Sequence, residues 1–362
     1  MKKIIIFIPS LGGGGAEKNI VNLANYLSKE YKVKIYTIYN ESEKKHINLI
    51  NNKVDIDSFG KKKVISSLFD IYKVIKMEEP ELVLTTVAYF SLVFSCIIPI
   101  LPKKTKYICR ETNIPDIYGK SKGFFYKIVS NFIYSHFYCF YDKIICQSND
   151  MLNSIKDTTK ISDNNKFIVI NNPCLISSSE DFSVKEIDID GREYIISAGR
   201  LTYQKGFDDL IIKYKNSEFY RRNIPLFIAG HGPERDNLEV LIKKNSLESY
   251  VLLLGFRDDI DILIKGSIGY VLSSWFEGFP NVLLEAIALG CPILARECPG
   301  GINEIVIDSL NGITFTEDNF DEKSKLFLSL DFDRDSIIRD ANSRFSPNTI
   351  FKKYSNTIED LF

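Results

Sequence analysis

Short apolar runs alternating with stretches of helical periodicity, twice over, constrain this chain more than any other feature. Runs that are apolar throughout suit strands buried on both faces, and such strands belong to parallel sheets covered by helices. The first set reads as strands at Lys3–Ile8, Val33–Tyr39, Leu82–Thr86, Lys106–Cys109, Lys143–Gln147 and Phe167–Ile170. After the first run, Ile20, Leu23, Ala24 and Leu27 share a helix face that should pack on the sheet. From Ser177 to Arg192 the periodicity lapses and Ser and Asp accumulate, as in a linker. The pattern restarts with Tyr194–Ala198, Pro225–Ala229, Val251–Leu254, Gly269–Ser273 and Pro292–Ala295. Two tandem doubly wound α/β domains are expected, and 362 residues is about the length two such cores need. In such folds ligands sit beyond the carboxyl ends of the strands, so the chemistry is expected in those loops.

Composition removes several classes. At 45% hydrophobic and 26% charged the chain is neither disordered nor fibrous. The start, MKKIIIF, imitates a signal peptide, but Pro9 and a glycine cluster follow and no small-residue cleavage site does, so it reads as a first buried strand. The stretch Leu82–Pro102 lacks charge, yet Thr85, Thr86, Ser91, Ser95 and Pro99 break it into a strand and a core helix, not a membrane span. Seven cysteines show no C-x-x-C spacing, which suggests neither zinc nor a disulfide framework and points to a reducing cytosol. The net charge of −1 hides an asymmetry. Residues 1–174 hold 25 Lys and Arg against 16 Asp and Glu, a net of +9, and the remainder nets −10. Either the first half faces something anionic or the two halves attract each other.

Four loops stand out. SSWFEGFPNVLLEAIALGCPILA, from Ser273 to Ala295, reads as strand end, loop, helix from about Pro280, glycine cap at Gly290 and returning strand. Its helix start would offer free N–H groups and a positive dipole end to phosphate. Glu277 and Glu285 are too far apart along this element to share a proton, and suit different parts of one long ligand; alternatively Glu277 caps the helix and Glu285 is solvated. GRLTYQKG, Gly199 to Gly206, places Arg200 and Lys205 at the end of a buried strand, where two cations can neutralise a diphosphate without metal. AGHGPE, Ala229 to Glu234, and LGFRDD supply glycines for close backbone approach, or ordinary turns capped by Asp258 or Asp259. SLGGGGAEK, Ser10 to Lys18, fails as a dinucleotide fingerprint because Glu17 stands where a third glycine belongs, but Gly14 and Gly15 still suit a phosphate-approaching loop.

Taken together, the loops resemble family 4 of the retaining glycosyltransferases, over almost the whole chain. The similarity lies in the Glu-x7-Glu motif, Glu277 to Glu285 in EGFPNVLLE, supported in order by GGAE (Gly14 to Glu17), GRLTYQKG and GHGPE. It implies the GT-B fold: two Rossmann-like doubly wound domains facing across a cleft, an acceptor-binding one at 1–176, a nucleotide-sugar-binding one at 177–347, and a last helix, about 348–362, crossing back to the first. It further implies that Glu277 contacts donor-sugar hydroxyls and that Glu285 binds the ribose. Arg200, Lys205 and the backbone of Gly278, Phe279, Pro280 and Asn281 (with Val282 beside them) would hold the diphosphate. Gly14 and Gly15 would close on it from the other domain. Gly255, Phe256 and Arg257 would lie near the base, with Gly230 approaching the same ligand. Glu277, Arg200 and Lys205 are thus the expected catalytic group. Two departures count: His231 replaces an acidic residue many relatives have, and no histidine stands where some relatives place one in the first domain. There the candidate loop is CRETNIP, whose Arg110, Glu111 and Asn113, with Glu17, are acceptor-side candidates; a structural ion pair of Arg110 and Glu111 is the alternative.

The expected enzyme is metal-independent and needs no cofactor beyond its nucleotide-sugar donor, UDP-linked by preference. The closest-looking members extend lipid-linked oligosaccharides. A soluble transferase making a sucrose-like or glucan product, or a nucleotide-sugar epimerase, is the other reading. A Rossmann dehydrogenase lacks its third glycine here, and a neutral sugar-binding module has no use for Arg200 and Lys205. Nucleic acid is not an expected partner. An anionic membrane is: the segment Ser121 to Lys143 carries Phe124, Phe125, Ile128, Phe132, Ile133, Phe137 and Phe140, with Lys120, Lys122 and Lys127 at one end and Lys103 and Lys104 nearby. Such a protein would be cytoplasmic and peripheral on the inner face of the membrane. An aromatic stripe buried in the core is the competing account.

Overall fold

In the computed structural model, residues 1–12, 14–39, 46–115, 123–176 and 191–362 are described; Gly13, Lys120, Ser121, Lys122 and most of the expected linker (177–190) lie outside them. The chain divides into two units, residues 1–173 with 348–362, and 174–347.

Isoleucine, valine and leucine dominate the central strands of the first unit, and these are buried on both faces as parallel strands require. Seven parallel strands form its sheet: β1 (Lys3–Ile8), β2 (Lys32–Thr37), β3 (Val54–Ser58), β4 (Leu82–Thr86), β5 (Lys106–Arg110), β6 (Lys143–Cys146) and β7 (Phe167–Val169). Their order is β3-β2-β1-β4-β5-β6-β7, so the direction of winding reverses between β1 and β4. Phe7 of β1 pairs in register with Tyr36 and Thr85.

The helices Leu68–Glu78, Ala88–Ser95, Phe124–Phe137 and Asn149–Thr159 cover one face of this sheet, their Ile71, Ile75, Phe90, Phe94, Tyr134, Met151 and Ile155 packed with Ile5, Phe7, Val83 and Ile144. The uncharged run Leu82–Pro102 is therefore β4 and a core helix, as read from its polar interruptions. The final helix, Pro347–Glu359, joins this unit through Tyr354, whose hydroxyl accepts from Arg110 Nε at 3.0 Å, and through Phe351, which packs on Tyr26.

Helix Phe124–Phe137 is amphipathic in reverse. Its buried side carries Ser130 and Tyr134, while Phe124, Phe125, Ile128, Val129 and Phe132 face outward, the first two 74% and 82% exposed. Of the segment's other apolar residues, Ile133 and Phe137 are partly buried and Phe140 is exposed. Among the described residues no helix is long and apolar enough to cross a membrane.

Six parallel strands make the second sheet: β8 (Ile195–Ala198), β9 (Leu226–Ala229), β10 (Val251–Gly255), β11 (Gly269–Leu272), β12 (Ile293–Arg296) and β13 (Gly312–Phe315), in the order β10-β9-β8-β11-β12-β13. Winding reverses between β8 and β11, which places the loops after these two strands side by side at the switch point where α/β sheets take ligands. Those are GRLTYQKG and SSWFEGFPN.

Candidate functional site

The two switch-point loops are laced together by backbone. Gly206 sits at φ +60, and a side chain there would run into the Ser273 carbonyl, so only glycine allows this approach. Ser273 Oγ donates to the Lys205 carbonyl at 2.8 Å, the Trp275 amide to the Gln204 carbonyl at 2.9 Å, and Gln204 Nε2 to the Phe276 carbonyl at 2.9 Å. Lys205 Nζ is thereby brought 2.6 Å from Glu277 Oε1, and Ser274 Oγ donates to the same oxygen at 2.6 Å. Both charged side chains are largely withdrawn from solvent, Lys205 at 19% and Glu277 at 8% exposure. With two donors on one oxygen, Glu277 is fixed, and Oε2 receives no hydrogen bond from the described residues. From the other side the Glu277 amide donates to the Pro299 carbonyl at 2.9 Å, and Gly300, at φ +127, leaves no room for a side chain against the Glu277 backbone.

Helix Asn281–Ala288 starts directly after this loop, with Pro280 as its cap residue at φ −72, where a missing N–H costs nothing. Its positive dipole end therefore lies beside the loop that carries Glu277. Gly278, Asn281 and Val282 are partly buried around that start, whereas Phe279 is buried against Phe345, 6.0 Å between ring centres, and anchors the loop. Glu285 is half-buried on the same helix. Its carboxylate adds to burial in pushing the Cys174 thiol up to about 12. Arg200 is exposed and pairs with no carboxylate among the described residues.

The third and fourth loops adjoin the first. A side chain at Gly230, φ +140, would strike the Gly199 carbonyl, and one at Gly232 the Leu201 backbone; the Gly230 amide donates to the Gly255 carbonyl at 2.7 Å. Phe256 is exposed and meets His231 edge-on, centroids 5.9 Å apart. Arg257 grips Asp259 with Nε at 2.7 Å and Nη2 at 2.5 Å, a two-point pair that occupies both. Asp259 precedes helix Ile260–Gly266 but gives that helix no side-chain cap bond. Arg257 therefore holds the LGFRDD turn in shape.

In the first unit, Gly14 is the cap residue of helix Gly15–Leu27, and the Glu17 carboxylate folds back over it. Arg110 and Glu111, at the end of β5, do not form the ion pair considered from sequence. Successive residues of a strand point to opposite faces. The Arg110 guanidinium is buried on Tyr354 and reaches Asn172 Oδ1 at 2.6 Å and Thr86 Oγ1 at 3.4 Å, so it ties the last helix to the sheet. Glu111 is fully buried on the other side, where the Tyr138 hydroxyl donates to Oε1 and Oε2 has no hydrogen-bond partner among the described residues. Burial raises its carboxyl to about 7, against a hydrogen bond from Tyr138 that acts the other way. Asn113 is half-buried in the same loop.

The residues that sequence reasoning missed are the supports: Ser274 on Glu277, Gln204 and Ser273 between the loops, and Arg296 beneath them. Arg296 carries the signal that singled out Lys205, a cation at the end of a buried strand.

Comparison with known proteins agrees with this architecture. Residues 179–344 match the family described as glycosyl transferases group 1. An uncharacterized glycosyltransferase of Methanocaldococcus jannaschii is 30% identical over 78% of this chain and 73% of its own. The N-acetylgalactosamine-N,N'-diacetylbacillosaminyl-diphospho-undecaprenol 4-alpha-N-acetylgalactosaminyltransferase of Campylobacter jejuni is 28% identical over 88% of this chain and 87% of its own. Among solved structures, the lipopolysaccharide outer core galactosyltransferase WaaB superposes with a TM-score of 0.78 at 20% identity, covering all of both chains. Anabaena HepE in complex with UDP-glucose superposes with 0.78 at 18%, covering 99% of this chain and all of the other. At those identities the superpositions establish the fold, which is GT-B. The chain belongs to the group 1 glycosyl transferases and is a glycosyltransferase.

Proposed function

We propose that this group 1 glycosyl transferase moves a hexose or N-acetylhexosamine from a nucleotide sugar, uridine its preferred base, onto a glycan carried by a polyprenyl diphosphate, with retention of anomeric configuration. The observation that carries the reading is the cluster of Lys205, Ser274 and Glu277 at the switch point of the second sheet. In the reaction the bond from the sugar's anomeric carbon to the phosphate oxygen breaks and its electron pair leaves on the diphosphate, while an acceptor hydroxyl bonds to that carbon on the same face and its proton passes to the departing phosphate oxygen. Lys205 and Arg200 supply positive charge for that anion, with the helix start at Asn281 as a third source, so no metal ion is required. Glu277, held on one oxygen by Lys205 and Ser274, offers its other oxygen to a donor-sugar hydroxyl. Glu285, farther along the helix, takes the ribose. Gly230, Gly255 and Phe256 border the base, and Gly14 and Gly15 are the first-unit residues proposed for the phosphates.

The acceptor class is supported by the diphospho-undecaprenol named for the Campylobacter relative, and the uridine preference by the UDP-glucose bound to HepE. The outward apolar face of helix Phe124–Phe137 supports contact with a bilayer, since burying it in an interface removes exposed phenylalanines from water. With Lys127 on this helix and a net of +9 on residues 1–174, an anionic cytoplasmic leaflet is the fitting surface, at about 1 kcal/mol for each lysine near it. Glu17 and Asn113 are the first-unit residues proposed for the acceptor.

A panel of nucleotide sugars, read by thermal stabilisation, tests the donor. A UDP-sugar at a hundred times its Kd should stabilise the fold by about 2.7 kcal/mol, and GDP- and ADP-sugars by less. Absence of stabilisation by every nucleotide sugar overturns the reading.

A further inference from the structure

Arg296 closes β12 in a place where a cation serves no strand. It is 3% exposed. Its Nε donates to the Ser273 carbonyl at 3.1 Å, and its Nη2 to the Asp209 carboxylate. The guanidinium plane lies over the Trp275 ring, 4.2 Å from Cζ to the centroid, and over Phe315 on β13 at 5.5 Å. Asp209 sits in the first turn of helix Phe207–Lys215, which continues the GRLTYQKG loop, while Ser273 and Trp275 belong to the loop that carries Glu277. One buried side chain therefore grips both donor-site loops. It does so by three means that need a planar, fork-shaped cation: a carbonyl, a carboxylate and a ring face.

Trp275 is stacked within this contact network. Its indole Nε1–H is buried without a hydrogen-bond partner among the described residues, and Tyr203 stacks at 6.4 Å and 21° on the ring. Stacking on Arg296 and Tyr203 orients the ring. The Trp275 amide and the Ser273 hydroxyl are two of the hydrogen bonds that set the Lys205 loop against the Glu277 loop, and Glu277 lies two residues further on. A buried ion pair of this kind seldom adds net stability over an apolar replacement, which leaves geometry as the reason for it.

We propose that Arg296 is a positioning residue for donor-sugar recognition: by clamping Ser273, Trp275 and Asp209 it sets the register in which Lys205 meets Glu277. This rests on the donor-site reading given above. Because Glu277 is assigned to the sugar and not to the nucleotide, loss of the clamp acts on the difference between UDP-sugar and UDP binding. Of the phosphate contacts, those of Arg200 and the helix start do not pass through Arg296 and that of Lys205 does, so UDP loses less of its affinity than the UDP-sugar.

Trp275 is the chain's single tryptophan, so its fluorescence reports the clamp directly. The experiment compares wild type with Arg296→Met, Arg296→Lys and Asp209→Asn, measuring tryptophan emission, titration with UDP and with the UDP-sugar that stabilises the wild type, and turnover. Expected in Arg296→Met are an altered emission spectrum, UDP affinity within about threefold of wild type, and UDP-sugar affinity and kcat each down by about tenfold or more. Arg296→Lys should recover part of both losses, and Asp209→Asn should reproduce them in weaker form. A merely structural role predicts lower Tm with UDP-sugar and UDP weakened alike, and that result overturns the proposal, as does a wild-type ratio of the two affinities with unchanged kcat. Should Arg296→Met not fold, Asp209→Asn decides on the same ratio. A wild-type protein that binds neither UDP nor any UDP-sugar contradicts the donor-site reading instead.

Discussion

Glu111→Gln is expected to stabilise this protein at alkaline pH and to leave it unchanged in acid. Glu111 is wholly buried, one oxygen bonded to the Tyr138 hydroxyl and the other to none of the described residues, and burial raises its carboxyl from 4.5 to about 7. The folded state therefore prefers the neutral acid. Below pH 4.5 the folded and unfolded chains are both protonated there, and the group costs nothing. From pH 4.5 to about 7 the unfolded chain ionises while the folded one stays neutral, so stability falls with rising pH. Above 7 the loss is complete, and a gap of about 2.5 pH units corresponds to about 3 kcal/mol. Glutamine keeps the acceptor for Tyr138, has the same shape and leaves one polar atom unpartnered, as the protonated acid does. Urea unfolding of both proteins from pH 4 to pH 8.5 measures the difference. It should grow from near zero to about 3 kcal/mol with its rise centred near pH 6. A difference independent of pH, or a variant less stable at pH 8, would refute the burial argument.

Lys205→Ala should weaken UDP-sugar use by about 2–5 kcal/mol in kcat/KM, since it strips the charge partner of a nearly buried carboxylate as well as a phosphate contact; steady-state kinetics reads this, and a loss below tenfold sinks the assignment. Glu285→Ala should raise the Kd for UDP, whereas Glu277→Ala should lower kcat with folding intact; near-wild-type behaviour of both removes the Glu-x7-Glu reading. Gly300→Ala should lower kcat more than Gly312→Ala at equal loss of Tm, because its side chain presses on the Glu277 backbone while the other presses on Ile293 of β12. Replacing Phe124, Phe125 and Phe132 by serine should abolish co-sedimentation with anionic liposomes at low salt and leave Tm within a few degrees, since these side chains are exposed; unchanged sedimentation rules out this face.

The fold was legible because strands buried on both faces leave continuous apolar runs, and the central strands of both sheets were found that way. The two strands left unread, β3 and β13, are both sheet edges. β3, VDIDS, turns Asp55 and Asp57 toward solvent, and β13 opens on a glycine packed against Ile293, so neither shows a long apolar run. Helix Phe124–Phe137 marks another limit. Periodicity finds a stripe but cannot tell inside from outside when one face is phenylalanine and the other tyrosine around a buried carboxyl. At the site, loop chemistry singled out Lys205 and Glu277 separately, for phosphate and for sugar. Their contact arises from the winding reversal between β8 and β11, a property of strand order that no local pattern carries. The Arg110–Glu111 alternative was not decidable in advance, because the strand was read as ending at Cys109, and its extension to Arg110 is what turns the two side chains apart.

Transfer itself is the most direct test. The protein, in EDTA, is given the UDP-sugar that stabilises it and a polyprenyl-diphosphate-linked glycan, and the products are followed by NMR at the anomeric proton. An α-linked glycoside formed from the α-linked donor, with one UDP released per linkage, is the predicted result, and Glu277→Ala should suppress it without preventing UDP binding. A β-linked product, free sugar in place of a glycoside, or activity that returns only with a divalent metal would contradict the account.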